Sequence, residues 1–222
     1  LAAAIQDYKR GVIIGTQSFG KGTVQSFLDL DQYVLPQFDS LRPLGSVKIT
    51  MQKFYRVNGG ATQLKGVTPD VALPDPYEFL EIGEKDMDYP MPWDEISKAT
   101  YQEFSMINYE KIKKASSERV KQSAAFKLIE AEAKELKAKK DDTKYNLKLE
   151  KYRAEQKQMR EQNKKYDGLK LEIKGFSADL LLSDKDLMKS DTTKFNKETK
   201  WVKNVAKDNY IFEASNVLND MK

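Results

Sequence analysis

Cysteine and histidine are both absent from the 222-residue sequence. Without cysteine, the chain forms no disulfide, has no thiolate nucleophile and offers no thiolate to a metal ion. Without histidine, it lacks both the usual general base of a Ser-His-Asp triad and the commonest zinc ligand. Any acid–base chemistry within these residues must therefore use Lys, Asp, Glu or Tyr.

Long hydrophobic runs are also absent, and no apolar stretch approaches the roughly 18 residues of a membrane-spanning helix. Charged residues make up 32% of the chain and the mean hydropathy is −0.68, values typical of a protein with a strongly solvated portion. We therefore expect no stable membrane insertion. Because the sequence begins at Leu1 without a methionine or a basic leader, we interpret it as a portion of a longer protein.

The N-terminal third predicts a helix followed by short strands. Residues 1–8 are alanine-rich and predict the last turns of a helix that stops at Gly11. The β-branched residues 12–14 then predict a short buried strand, and residues 23–30 predict another. This order of helix and strand is typical of a layer that contains both kinds of element.

Two further strands are predicted around a tight turn. Residues 44–57 predict a long strand, Asn58-Gly59-Gly60 predicts a hairpin turn, and residues 63–73 predict the returning strand. Pro74 and Pro76 cannot continue a sheet, so we predict one domain over residues 1–75 and a second over residues 76–222.

The second domain is predicted to be mainly helical and basic. Residues 110–170 contain 19 Lys or Arg and 11 Asp or Glu, a net charge of +8 against +4 for the whole chain. Apolar residues at helical spacing predict one helix around residues 125–136 and another around 145–159, separated by a break at 141–143. The alternation over residues 145–149 also allows a short strand there. A last helix is predicted over residues 211–221, so the whole chain is predicted to be α+β.

One local motif suggests chemistry, the segment Phe19-Gly20-Lys21-Gly22-Thr23-Val24-Gln25. Glycines on both sides of Lys21 permit a sharp turn and close approach of another segment, which also suits burial of the lysine amine. An exposed loop lysine is one interpretation. A phosphate-binding loop over residues 15–23 is another, although Gly22 stands where a hydroxyl usually binds magnesium, and the next residues predict a strand instead of a helix.

A third interpretation comes from family resemblance. The sequence resembles the carboxy-terminal processing, or tail-specific, serine proteases, in which a Ser-Lys dyad performs the catalysis. The resemblance rests on the segments AAAIQDY (residues 2–8), VIIG (12–15), FGKGTVQ (19–25), VKIT (47–50), KFY (53–55), KGVTPD (65–70) and PWD (92–94), and on residues 209–218.

The resemblance implies roles for three residues. Lys21 matches the general base, which must be deprotonated to act, and Gln25 matches the glutamine that orients the lysine. Asp7 matches an aspartate that we interpret as structural support near the site, although a helix-end carboxylate with no such role is an equal alternative. Residues 21, 23 and 25 share one face of a strand, which would let the Gln25 amide reach the amine.

The resemblance also implies a wider architecture and function. Residues 1–75 would form the C-terminal part of a mixed α/β protease core, and residues 76–222 a mainly helical domain. The nucleophilic serine and a substrate-capturing PDZ domain would lie before Leu1, so the chain alone is predicted to be inactive. The full enzyme would act in the periplasm of the bacterial cell envelope, on proteins with exposed C-termini, without metal or nucleotide cofactors.

The basic helices leave three alternatives open. They can be a solvated surface of unequal charge, a surface that binds an adaptor or substrate protein, or a nucleic-acid surface. No aromatic stacking repeat accompanies the charge, so we expect no nucleic-acid partner. The binding alternative would give the helical domain a function separate from proteolysis.

Overall fold

The computed structural model describes residues 1–104, 106–187 and 191–222. These residues combine small sheets with a mainly helical C-terminal part, which confirms the predicted α+β class. They divide into two compact units. The first unit comprises residues 1–13, 17–69 and 81–106, and the second comprises residues 14–16, 70–80 and 107–222. The domain boundary at residues 75 and 76 stays a prediction.

The elements have the following bounds. The strands are β1 (Ile14–Gly15), β2 (Thr23–Asp29), β3 (Ser46–Lys53) and β4 (Val71–Ala72). The helices are α1 (Ala2–Asp7), α2 (Tyr109–Gln122), α3 (Ala124–Asp141), α4 (Leu149–Asn163), α5 (Leu182–Leu187), α6 (Thr192–Val205) and α7 (Asn209–Asp220). Short 3₁₀ turns are also present, for example at Leu30–Tyr33 and Glu84–Asp86. None of the helices in the described ranges is long and apolar enough to cross a membrane.

The first unit contains an antiparallel pair of strands, β2 and β3. Thr23 lies opposite Lys53 and Asp29 lies opposite Ser46, with a register shift between Val24 and Gln25. The predicted strand over residues 23–30 is therefore confirmed. The strand predicted over residues 44–57 is confirmed but shorter, because the chain turns after β3.

The predicted turn at residues 58–60 is present, although it is not a primed turn, the tight two-residue type in which the central residues have positive φ. The Gly59 nitrogen donates to the Arg56 carbonyl at 2.9 Å, and a bridge pairs Tyr55 with Ala61. Gly59 has a positive φ of 96°. Asn58 is not among the residues of positive φ, so one glycine supplies the left-handed conformation that the turn requires.

The strand predicted over residues 63–73 is wrong for most of its length. Leu64 and Gly66 have φ values of 61° and 60°, and this left-handed conformation cannot continue an extended strand. Within this range only β4 is a strand, and it pairs in parallel with β1 in the second unit. The strand predicted over residues 12–14 is also shorter than predicted, since β1 has only two residues and overlaps the predicted range at Ile14.

The core of the second unit is built from helices with narrow apolar stripes. Phe126, Ile129 and Ala133 lie on one face of α3 and are buried, which confirms the predicted helix and its spacing. The α3 helix ends at Asp141, as the predicted break requires. The predicted second helix is confirmed as α4, and residues 144–147 before it form no strand.

Helices α2 and α7 are joined by a buried polar network. The Ser116 hydroxyl donates to Glu213 Oε1 at 2.6 Å, and Arg119 Nη2 donates to the same oxygen at 2.8 Å and to Asp220 Oδ2 at 2.7 Å. Only 3% of the Glu213 surface is exposed. Hydrogen bonds to Glu213 raise the pKa of the Arg119 guanidinium above the ordinary value for arginine. The α7 helix confirms the predicted final helix.

Candidate functional site

The lysine loop, residues 19–23, is held by main-chain hydrogen bonds within the first unit. The Leu64 nitrogen donates to the Gly20 carbonyl at 2.7 Å, and the Phe54 nitrogen donates to the Gly22 carbonyl at 3.0 Å. The Thr62 hydroxyl donates to the Lys21 carbonyl at 3.2 Å. Segments on both sides therefore fix the path of the backbone that carries Lys21.

The two glycines of the loop are required by these close approaches. Gly20 has a φ of +93°, a conformation that residues with a Cβ rarely adopt. A Cβ on Gly22 would lie 2.6 Å from the Gln63 nitrogen, which is closer than side chains come to backbone atoms. The prediction that the glycines permit close approach of another segment is confirmed.

Gln63 contacts the lysine loop through a completely buried side chain. Its Oε1 accepts a hydrogen bond from the Gly22 nitrogen at 2.7 Å. Its Nε2 donates to Glu84 Oε1 and to the Met91 carbonyl, each at 3.1 Å. One neutral side chain thus links the lysine loop to the segment that contains Glu84, and it does so with its polar groups satisfied.

The Lys21 amine lies beside a carboxylate at the surface of the first unit. Lys21 Nζ is 3.7 Å from Glu84 Oε1, and the side chains of Lys21 and Glu84 are 39% and 12% exposed. The expectation that the flanking glycines would bury the amine is therefore wrong for the described residues. The glycines admit neighbouring backbone along the loop, but the Lys21 side chain itself remains 39% exposed.

Gln25 lies on β2 and contacts the opposite strand. Its Nε2 donates to the Thr50 hydroxyl at 3.3 Å, and Thr50 is its partner in the β2–β3 register. Among the described residues, no hydrogen bond joins Gln25 to Lys21. The role of Gln25 in orienting the lysine stays a prediction.

Asp7 ends α1 and forms a buried ion pair within the first unit. Arg56 Nε donates to Asp7 Oδ2 at 2.9 Å, and Arg56 Nη2 donates to Oδ1 at 2.6 Å. The Asn58 amide adds a hydrogen bond to Oδ1 at 3.1 Å. This two-point contact joins the end of α1 to the turn before Gly59. Asp7 therefore contacts structural partners, and its role toward Lys21 stays a prediction.

The phosphate-loop alternative does not fit this geometry. A phosphate-binding loop presents its backbone N–H groups at the start of a helix. The lysine loop leads instead into the strand β2, which forms an antiparallel pair with β3. Within the part of the chain that the structure describes, no cluster of three or more acidic side chains is suited to a metal ion.

Two partners of the lysine loop were missed by the sequence reasoning. Gln63 fell within a predicted strand, and Glu84 fell within a predicted helical domain. Neither residue carries a local motif, because each contacts the loop only through folding of distant segments. No local pattern in the sequence therefore pointed to either residue.

Comparison with known proteins assigns both parts of the chain. The family model described as the C-terminal domain of tail specific protease matches residues 77–222. The chain belongs to this family. A second model, Peptidase family S41, matches residues 1–73. The predicted resemblance to the tail-specific, carboxy-terminal processing proteases is thereby confirmed.

Two curated bacterial relatives agree with this assignment. A tail-specific protease of Haemophilus influenzae is 50% identical over 107 residues, which is 48% of this chain and 15% of the relative. A carboxy-terminal-processing protease of Bartonella bacilliformis is 34% identical over 93 residues, which is 39% of this chain and 19% of the relative. In each case the matched region covers less than a fifth of the relative's own length.

Proposed function

We propose that this chain is the C-terminal portion of a serine endopeptidase that recognises the C-terminal end of its substrate proteins. The observation that carries the proposal is the position of Lys21, on a glycine-flanked loop held by main-chain hydrogen bonds, within the range that matches the S41 peptidases. The names of the two relatives, tail-specific protease and carboxy-terminal-processing protease, support the substrate class.

In the proposed mechanism, Lys21 is the general base of a Ser-Lys dyad. The neutral amine accepts the proton of a serine that lies outside this chain, and the serine oxygen forms a bond to the scissile carbonyl carbon. The resulting ammonium returns the proton to the leaving amine as the carbon–nitrogen bond breaks. Water activated by the same lysine then hydrolyses the acyl ester. Gln25 orients the amine, and Asp7 supports the neighbouring fold.

The cellular setting follows by analogy with the family. We infer a periplasmic enzyme of the bacterial cell envelope from the family resemblance, and both relatives that the chain matches are bacterial proteins. The proposal includes no metal, nucleotide or nucleic acid. It assigns the first 75 residues to the protease core and residues 76–222 to the helical domain.

The proposal predicts a difference between this chain and the full-length protein. The full-length protein cleaves an unfolded substrate with an apolar C-terminus, whereas residues 1–222 alone give no turnover because they lack the nucleophile. A gel or fluorescence assay with equal concentrations of the two proteins measures this difference. Turnover by the chain alone, at a rate near that of the full-length protein, contradicts the proposal.

A second candidate function is the binding of a partner protein by the basic helices. It is favoured by α4, which carries Lys151, Arg153 and Lys157 and buries none of its residues. These three basic side chains are exposed and are therefore available to an acidic partner. Replacing these three residues with Glu should abolish capture of an adaptor by the full-length protein in a pull-down, while proteolysis of an unfolded substrate continues. Unchanged capture contradicts this function.

A further inference from the structure

Glu84 is the carboxylate closest to the proposed catalytic lysine. We propose that Glu84 is a positioning residue, which holds the Lys21 amine in place and neutralises the ammonium that forms when the lysine accepts the proton of the nucleophile. This inference rests on the proposed function of Lys21. It adds a residue from outside the range that matches the S41 peptidases, since Glu84 lies within residues 77–222 and Lys21 within residues 1–73.

The position of Glu84 is fixed by the lysine loop itself. The Glu84 nitrogen donates to the Phe19 carbonyl at 2.8 Å, two residues before Lys21. Its Oε1 accepts from Gln63 Nε2 at 3.1 Å, and Gln63 in turn binds the Gly22 nitrogen. The Glu84 side chain is only 12% exposed. Glu84 is therefore held beside the loop at two points, through its backbone nitrogen and through its carboxylate.

Other charged groups on the segments that contact the loop have different partners or positions. Lys53 forms an ion pair with Asp94 at 2.7 Å, and Lys65 lies over the Trp93 ring at 3.2 Å. Asp86 accepts from the Gly83 nitrogen. Lys85 is exposed on the same turn as Glu84. Within the described ranges, Glu84 is thus the carboxylate that forms an ion pair with Lys21.

The contact between Glu84 and Lys21 matters because the charge on the lysine amine changes during the proposed reaction. Lys21 is neutral before attack, carries a positive charge while the tetrahedral intermediate exists, and becomes neutral again when the leaving amine takes the proton. A carboxylate 3.7 Å from Nζ interacts most strongly with the charged form. In this scheme Glu84 takes up and releases no proton. Its contribution is therefore largest when the positive charge is present.

Glu84→Gln in the full-length protein tests this role. The amide keeps the shape and can still accept from Gln63, but it carries no charge. We expect kcat at its alkaline plateau to fall by about two- to fivefold, the range for a partly exposed ion pair, with KM unchanged. We also expect the acidic limb of the pH–rate profile to move to lower pH, because the ammonium form has lost its counter-ion. If Glu84 had only a structural role, its replacement would not move the acidic limb of the pH–rate profile.

The matched control is Asp88→Asn, which removes an exposed carboxylate from the same segment and should leave both the plateau and the limb unchanged. If circular dichroism shows that Glu84→Gln does not fold, Glu84→Asp supplies the test. Its carboxylate is one methylene farther from the amine. It should therefore move the acidic limb of the pH–rate profile in the same direction as Glu84→Gln, but by less. If the acidic limb of the pH–rate profile stays at the same pH in a folded variant, the inference is overturned. Turnover by Lys21→Ala would instead overturn the proposed function itself, so the two failures are distinguishable.

Discussion

Lys21→Ala in the full-length protein should lower kcat/KM for an unfolded substrate by about 10²- to 10⁴-fold, the range for loss of a positioned general base. The reason is that no histidine in this chain can replace the lysine. The loop should keep its path, because its hydrogen bonds come from the backbone of residues 20–22 and not from the lysine side chain. The measurement is a cleavage assay with circular dichroism to confirm the fold.

Two further variants separate the chemistry of the amine from its charge. Lys21→Arg keeps a positive charge but should fail equally, because a guanidinium does not lose its proton near neutral pH. Lys85→Ala removes an exposed lysine from the neighbouring turn and should leave turnover unchanged. Wild-type turnover by Lys21→Ala would show that the lysine is an ordinary loop residue.

Glu213→Ala should destabilise the second unit by about 2–3 kcal/mol, the second large effect. The substitution leaves the Ser116 hydroxyl, which is fully buried, and the Arg119 guanidinium without their shared acceptor. Breaking a buried ion pair by removing one partner costs about 3–5 kcal/mol. We expect the lower value because Arg119 keeps its contact with Asp220 and is 32% exposed. Urea unfolding of the chain, followed by circular dichroism, measures the change.

The control for this prediction is Glu130→Ala, which removes an exposed carboxylate from α3 and should change the free energy of unfolding by less than about 0.5 kcal/mol. Replacing Arg119 and Glu213 together with methionine should recover part of the lost stability, because neither of these two charges is then left without the other, whereas Ser116 and Asp220 still lose a partner. A loss below about 0.5 kcal/mol in Glu213→Ala would mean that the network does not join α2 to α7.

The elements that the sequence predicted well are those with a local pattern. The α3 helix carries Phe126, Ile129 and Ala133 at helical spacing, so its face and its end at Asp141 follow from residues close in sequence. The strand β2 was also recognisable locally. The α2 helix was not separately predicted, because one of its two buried residues is Ser116, a polar side chain that hides the apolar stripe.

The elements that could not be predicted depend on distant contacts. Leu64 adopts a positive φ, which is uncommon for a residue with a Cβ, and its nitrogen binds the Gly20 carbonyl. That tertiary contact overrides the apolar pattern that predicted a strand over residues 63–73. Gln63 and Glu84 reach the lysine loop only because segments far apart in sequence meet there. Local sequence therefore located Lys21 but not its partners.

The central claim is that Lys21 activates a serine that lies outside these 222 residues. Rapid-quench mass spectrometry of the full-length protein with an activated ester substrate tests it most directly. We predict an acyl group on a serine outside this chain, formed at least about 10²-fold more slowly in Lys21→Ala than in the unmodified protein. An acyl group on a serine within this chain, or formation at equal rates in the two proteins, would contradict the claim.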